Sequence, residues 1–182
     1  MNIISQASAA RNLLNQGKII AYPTEAVYGL GCDPFNQQAV EKLLALKQRS
    51  VSQGLILLIG EWPQLEPLIG VVPTHLLDAV RDSWPGPITW VFPKSIAIPA
   101  WLSGDHHTIA IRMSAHPVAH QLCADGPVVS TSANISGRQP AVDIAGVCVQ
   151  FPFGVDALLS GPLGGASQPS AIYNVLDGTR LR

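Results

Sequence analysis

The chain has 182 residues, of which 47% are hydrophobic and 13% charged, with a formal net charge of -1. That composition supports one domain with a sizeable core and excludes a disordered chain and a globally basic nucleic-acid binder. The 16 glycines and 15 prolines lie above average usage and point to sharp strand–loop transitions around a loop-built site. Cys32, Cys123 and Cys148 are far apart with no C-x-x-C pair, which argues against a structural zinc site and fits a reducing cytoplasm. The N-terminus lacks the charge and apolar pattern of a secretory signal, and no apolar run approaches the ~20 residues of a membrane span.

Taken in order, Ser5–Gln16 reads as a helix, capped by Ser5 and ended by Gly17. A buried strand follows at Ile19–Tyr22. It breaks at Pro23 into a polar, Gly-rich loop carrying Thr24, Glu25, Tyr28, Gly29 and Gly31. Asn36–Arg49 is an amphipathic helix with Asn36 as cap; Lys47 extends its apolar face. Leu55–Ile59 is a central strand and Pro73–Trp84 a helix. Pro85-Gly86-Pro87 is a rigid turn, Ile88–Phe92 a strand and Ile98–His107 a loop. Ile109–Arg112 is a short strand ending on a charge. The helix Pro117–Ala124 precedes a strand, Val128–Ser130, that runs into Thr131-Ser132-Ala133-Asn134. A helix at Val142–Gln150 and late strands at Asp156–Ser160 and Ala171–Val175, separated by the Gly-rich Gly161–Gln168, complete the chain. Strands alternating with helices give an α/β class with a twisted, mixed sheet.

Several strands end on residues of one chemical kind. Thr24, Arg112, Ser130, Ser132, Asn134 and Ser170 follow strands or loops, and Lys47 and Arg49 close a helix. Cations with hydroxyl and amide donors suit a polyanionic or carboxylate-bearing ligand gathered where strand ends converge. Each has a plainer reading. Lys47 and Arg49 complement a helix dipole equally well. Ser130–Asn134 is also ordinary turn chemistry. Trp84, Trp90 and Trp101 read as core or rim, and His106-His107 as a solvated pair. No P-loop, G-x-G-x-x-G, G-x-S-x-G or H-E-x-x-H pattern is present, so an ATP site here would be collected from several loops.

Six segments in order resemble one family: IIAYPTEAVYGLGCDP (19–34), LKQR (46–49), SWPGPITWVFP (83–93), TIAIRMSAHP (108–117), VVSTSANISG (128–137) and PSAI (169–172). The chain is similar to the YrdC-type threonylcarbamoyl-AMP synthases in their short, single-domain form. The resemblance implies one domain over residues 1–182, a twisted open mixed sheet flanked by helices, and a concave ligand cleft. It implies that L-threonine, bicarbonate or CO2, and ATP become threonylcarbamoyl adenylate and diphosphate, for threonylcarbamoyladenosine modification of tRNA. Thr24, Tyr28, Arg112, Ser130 and Ser170 would hold threonine. Lys47 and Arg49 would be catalytic and hold the triphosphate; Thr108, Ser132, Asn134 and Arg182 would complete the nucleotide site. Mg2+ is expected with ATP, with no zinc and no organic cofactor. Implied partners are tRNA and the downstream proteins that take the adenylate, in the cytoplasm and away from membranes. The family's histidine after the K-x-R segment is replaced by Leu58, and Gln53 falls near the nucleotide. Glu25 is expected to brace Lys47 or Arg49. A non-catalytic RNA-binding or ribosome-maturation factor on the same fold is the alternative.

Overall fold

The computed structural model describes residues 1–182 and contains a nine-stranded mixed sheet with helices on both faces. The strands are β1 (Asn2–Ile4), β2 (Ile20–Pro23), β3 (Tyr28–Gly31), β4 (Ile56–Ile59), β5 (Ile88–Pro93), β6 (Thr108–Met113), β7 (Val128–Ser132), β8 (Ala157–Leu159) and β9 (Ala171–Asn174). Their spatial order is β1-β8-β2-β3-β7-β4-β6-β5-β9. The helices are α1 (Ala7–Asn15), α2 (Gln37–Lys47), α3 (Leu77–Ser83), α4 (Ala100–Ser103), α5 (Pro117–Leu122) and α6 (Ile144–Gln150). None is long and apolar enough to cross a membrane.

The two-residue period of the strands sorts side chains onto two faces. Leu57, Ile59, Ile109, Ile111, Val129, Trp90 and Phe92 all enter one large cluster, with Val40, Leu43 and Leu44 of α2, Leu102 of α4 and Val147 of α6. The intervening residues face the other way. At the β1-β8-β2 end, and at one end of the central strands β7 and β4, they are apolar, and Ile20, Tyr22, Leu58, Val128, Ala157 and Leu159 pack under Ala10 and Leu14 of α1 and Ala119 and Leu122 of α5. Towards β9 no helix covers that face, and the same alternation puts Ser130, Ile56, Ala110, Arg112, Thr89 and Val91 on the floor of an open cavity. The half-covered sheet is what makes room for a site.

Several expectations need correction. Ser5 does not cap α1; the N-cap is Gln6, without a side-chain cap bond. Asn36 does cap α2, accepting from the Ala39 amide at 3.1 Å. The expected helix Pro73–Trp84 begins as a single 3-10 turn, Thr74–Leu76, before α3 starts at Leu77. The stretch 98–107 contains the short helix α4. The largest difference is Tyr28–Gly31, expected to be loop and found as β3, hairpinned to β2 with Tyr22 opposite Gly29. Its glycines serve proximity. A Cβ on Gly31 would stand 2.7 Å from the Val129 carbonyl oxygen and 2.9 Å from Val128 Cγ1; one on Gly29 would stand 3.2 Å from Tyr22 Cζ.

Gly31→Ala is therefore an overpacking change against backbone. It is expected to cost about 1–3 kcal/mol of folding stability, read as a shifted denaturant midpoint. An unchanged midpoint would show that β3 and β7 are not in this close contact.

Candidate functional site

The cavity has a volume of about 530 Å3 and lies over the uncovered part of the sheet, within the size range of small-molecule sites. Beyond the strand floor it is walled by the β2–β3 turn, the segment from Arg49 to Leu55, Leu102, Ser103 and His106 at and after α4, residues 168–170 before β9, and the carboxyl-terminal Leu181 and Arg182, with Pro87, Ser114 and Pro140 at its rim. The terminal segment is held by main-chain bonds to β9: Leu181 N–H donates to the Ile172 carbonyl at 2.7 Å, and Asn174 N–H donates to that of Thr179 at 2.9 Å. Arg182 thereby reaches the cavity, its Nη2 donating to the Ser170 carbonyl at 3.0 Å.

Arg112 stands on β6 opposite Leu58 of β4 and is 9% exposed. A guanidinium so buried needs an anionic or carbonyl partner. It has both. Nε donates to the Gly86 carbonyl at 2.9 Å, and Nη2 lies 2.5 Å from Glu25 Oε2. Glu25 Oε1 accepts from the Ser114 hydroxyl at 2.8 Å and the Ala115 amide at 3.1 Å. Burial alone would push the Glu25 carboxyl up. Arg112, and after it the Ser114 hydroxyl, outweigh burial and hold it below its ordinary 4.5. Glu25 thus braces Arg112, neither Lys47 nor Arg49. It is also the one carboxylate lining the cavity, set against Arg49, Arg112 and Arg182. The excess of fixed positive charge suits the cavity to an anion.

Arg49 Nη2 donates to the Gly54 carbonyl at 3.0 Å. Burial, then the nearby Arg182, lowers its pKa; burial, then Arg112, lowers that of Arg182. Like charges so placed in a partly dry site favour a multiply charged anion between them. Lys47 and Asn134 are not at the cavity surface, contrary to what direct contact with the nucleotide would need. Lys47 is 2% exposed, and its Nζ donates to the Ser132 and Asn134 carbonyls at 2.5 and 2.6 Å. Burial, with Arg49 beside it, pulls this amine down to about 8. Asn134 accepts from the Ser132 hydroxyl at 2.5 Å and donates to the Ile135 and Arg138 carbonyls. The two residues brace the end of β7 from beneath, using up the polar groups that sequence alone left free.

The remaining expected residues do line the cavity: Thr24, Tyr28, Thr108, Ser130, Ser132 and Ser170. Thr24 Oγ1 donates to the Val27 carbonyl at 2.7 Å, closing the β2–β3 turn. Tyr28 donates to the Gly161 carbonyl at 3.0 Å, and Ser130 Oγ accepts from Tyr22 at 2.7 Å. Ser170 Oγ lies 2.9 Å from Thr89 Oγ1. Thr89 and Ser114 were missed from sequence. Thr89 lies two residues before Val91 on the same strand face, a pattern visible only once the register of β5 is known. The Gly-rich strap 161–168 folds over the turn, Gly164 N–H donating to the Thr24 carbonyl and Ala166 N–H to that of Glu25.

No group of three or more His, Cys, Asp or Glu side chains comes together as a metal cage. The cavity's carboxylate is already committed to Arg112. The residues present do not suit a resident metal.

The family model described as "Telomere recombination" (Sua5_yciO_yrdC) matches residues 12–182. A threonylcarbamoyl-AMP synthase of Coxiella burnetii (strain RSA 493) is 49% identical over 171 residues, covering 93% of this chain and 92% of the relative. That of Methylococcus capsulatus is 50% identical over 175 residues, covering 95% and 94%. Among solved structures, P. abyssi Sua5 complexed with L-threonine superposes with a TM-score of 0.88 at 30% identity. The match covers 95% of this chain but 53% of that longer one. E. coli YciO, at 21% identity and a TM-score of 0.83, shares the fold over 99% of this chain and 91% of its own. By family model, by near-half identity along almost the whole chain and by architecture, this chain belongs to the Sua5/YciO/YrdC family.

Proposed function

We propose that the chain is a threonylcarbamoyl-AMP synthase, an enzyme that uses ATP and L-threonine. The observation that carries this reading is 49–50% identity to synthases of that name, over more than nine-tenths of both chains. The cavity supports it chemically. Threonine and bicarbonate give a carbamate at the threonine nitrogen, with loss of water. A carbamate oxygen then attacks the ATP α-phosphorus, the bond to the bridging oxygen breaks, and diphosphate leaves with the electron pair. Such a reaction needs reactants held in line and developing charge neutralised.

Arg112, oriented by Glu25 and Gly86, takes the threonine carboxylate. Nε and Nη2 are held by the protein, and Nη1 makes no hydrogen bond within it. Thr24, Tyr28, Ser130 and Ser170 shape the threonine pocket. Arg49 and Arg182 face the phosphates with Thr108 and Ser132. Lys47 and Asn134 act through the β7 loop they brace. Magnesium arrives as the counter-ion of ATP. In this reading bicarbonate is the carbon source, tRNA receives the group through downstream modification proteins, and the setting is the cytoplasm. The experiment is diphosphate release from ATP with threonine and bicarbonate, with the adenylate identified by mass. Release that ignores threonine overturns the reading.

Two variants probe the arrangement. Arg112→Ala removes a charge-assisted contact and should lower kcat/KM for threonine about 10- to 100-fold, with a smaller effect on the KM for ATP; equal effects on both substrates would argue against the assignment. Glu25→Gln leaves Arg112 buried without its counter-charge. Since the folded-state pKa of Glu25 is depressed, its contribution to stability is present above the ordinary 4.5 and is lost as pH falls through the lower folded value. Denaturation measured at neutral pH and stepwise below 4.5 should show the variant less stable at neutral pH and the gap closing in acid. A gap that stays constant with pH would mean the pair contributes by shape alone.

A further inference from the structure

The glycines of β3 have a purpose beyond close packing. β2, β3 and β7 are neighbours in that order, so a residue of β2 is two interstrand steps, about 9–10 Å, from β7. A side chain can span that gap only if the strand between carries none on the same face. Tyr22 sits opposite Gly29. A Cβ on Gly29 would stand 3.2 Å from Tyr22 Cζ, and one on Gly31 3.0 Å from Tyr22 Cε1. The ring therefore lies flat across both glycines, and its hydroxyl reaches Ser130 Oγ at 2.7 Å on the far side.

Tyr22 is fully buried, packed with Ile20, Leu58 and Val128, and does not line the cavity. Its hydroxyl makes one hydrogen bond, to Ser130. That fixes the direction of the bond. If Ser130 donated, the phenolic proton would be left unpartnered in an apolar setting, which is costly. Burial also pushes the Tyr22 phenol well up, so the proton stays on it. Ser130 Oγ consequently accepts from behind, and its own proton has to point away from Tyr22, on the side that lines the cavity.

We propose that Tyr22, laid across Gly29 and Gly31, is a positioning residue that makes Ser130 an oriented hydrogen-bond donor to the threonine substrate. A serine hydroxyl at a cavity wall is otherwise free to rotate and to present a lone pair in place of a proton. With Tyr22 bonded to it, it meets an acceptor, a carboxylate or carbamate oxygen, already aligned. Such preorganisation acts on an oxygen held close to the reacting centre. The role rests on the synthase reading above.

Tyr22→Phe keeps the ring and removes the bond. It should raise the KM for threonine about five- to tenfold, the size of one well-placed hydrogen bond, and leave the KM for ATP within about twofold. The decisive measurement is a double-mutant cycle with Ser130→Ala. In the Ser130→Ala background, Tyr22→Phe should change threonine kinetics no further. A phenolic hydroxyl that merely satisfies core polarity would cost the same factor in both backgrounds, and that outcome overturns the proposal, as does an unchanged threonine KM in Tyr22→Phe. Should Tyr22→Phe fail to fold, Gly29→Ala gives a second route: its methyl would stand 3.2 Å from Tyr22 Cζ and 3.4 Å from Thr24 Cγ2, so it is read in the same cycle with Ser130→Ala. A rise in threonine KM that disappears in the Ser130→Ala background supports the role; no rise, or the same rise in both backgrounds, overturns it. A wild-type protein with no threonine-dependent turnover overturns both this role and the synthase reading. An active wild type indifferent to Tyr22→Phe overturns this role only.

Discussion

The contact on which the site depends is the ion pair between Glu25 and Arg112. It joins the turn of the β2–β3 hairpin to the floor strand β6, elements separated in the sheet by β7 and β4. Neither partner could be buried alone, because an unpaired charge at that depth costs several kcal/mol. Together they need further bonds, and those come from Gly86, Ser114 and Ala115. The turn after β5's preceding helix, the end of β6 and the hairpin are thereby fixed to one point. The strap 161–168 then has a fixed turn to fold over, and its bonds to the carbonyls of Thr24 and Glu25 follow.

Around that point the cavity is assembled from residues with few options. One sheet face is apolar along its length and is buried beneath α2, α3, α4 and α6. The other changes character near the middle, from the apolar Tyr22, Leu58 and Val128 to Ser130, Arg112 and Thr89. The change coincides with where the helical cover of α1 and α5 stops. Hydrophobic burial decides where the lid ends, and the polar residues beyond it inherit the solvent and the ligand.

Much of this was readable from sequence where a residue's chemistry is local. The cap at Asn36, the continuous apolar run of β4, and the strands that carry Arg112 and Ser130 follow from period and composition, although those strands run on past the expected ends, to Met113 and Ser132. What escaped was pairwise. Gly29 and Gly31 look like turn residues until Tyr22 and Val129 are known to lie against them. Sequence alone points Glu25 at Lys47 or Arg49, and only the fold, which carries Arg112 of β6 to the β2–β3 turn, shows its partner. Lys47 and Arg49 read alike at a helix end, yet the left-handed Gln48 between them turns one inward and the other to the cavity.

The terminal segment carries a consequence for handling the protein. Residues 179–182 run beside β9, tied to it by main-chain hydrogen bonds and a single bridge between Tyr173 and Arg180, and the Arg182 side chain lies in the cavity wall. The amino terminus, by contrast, leads into β1 at the opposite edge of the sheet. Anything joined after Arg182 begins at the mouth of the cavity and competes for its space. An affinity tag or fluorescent fusion joined before Met1 starts a full sheet-width from the cavity.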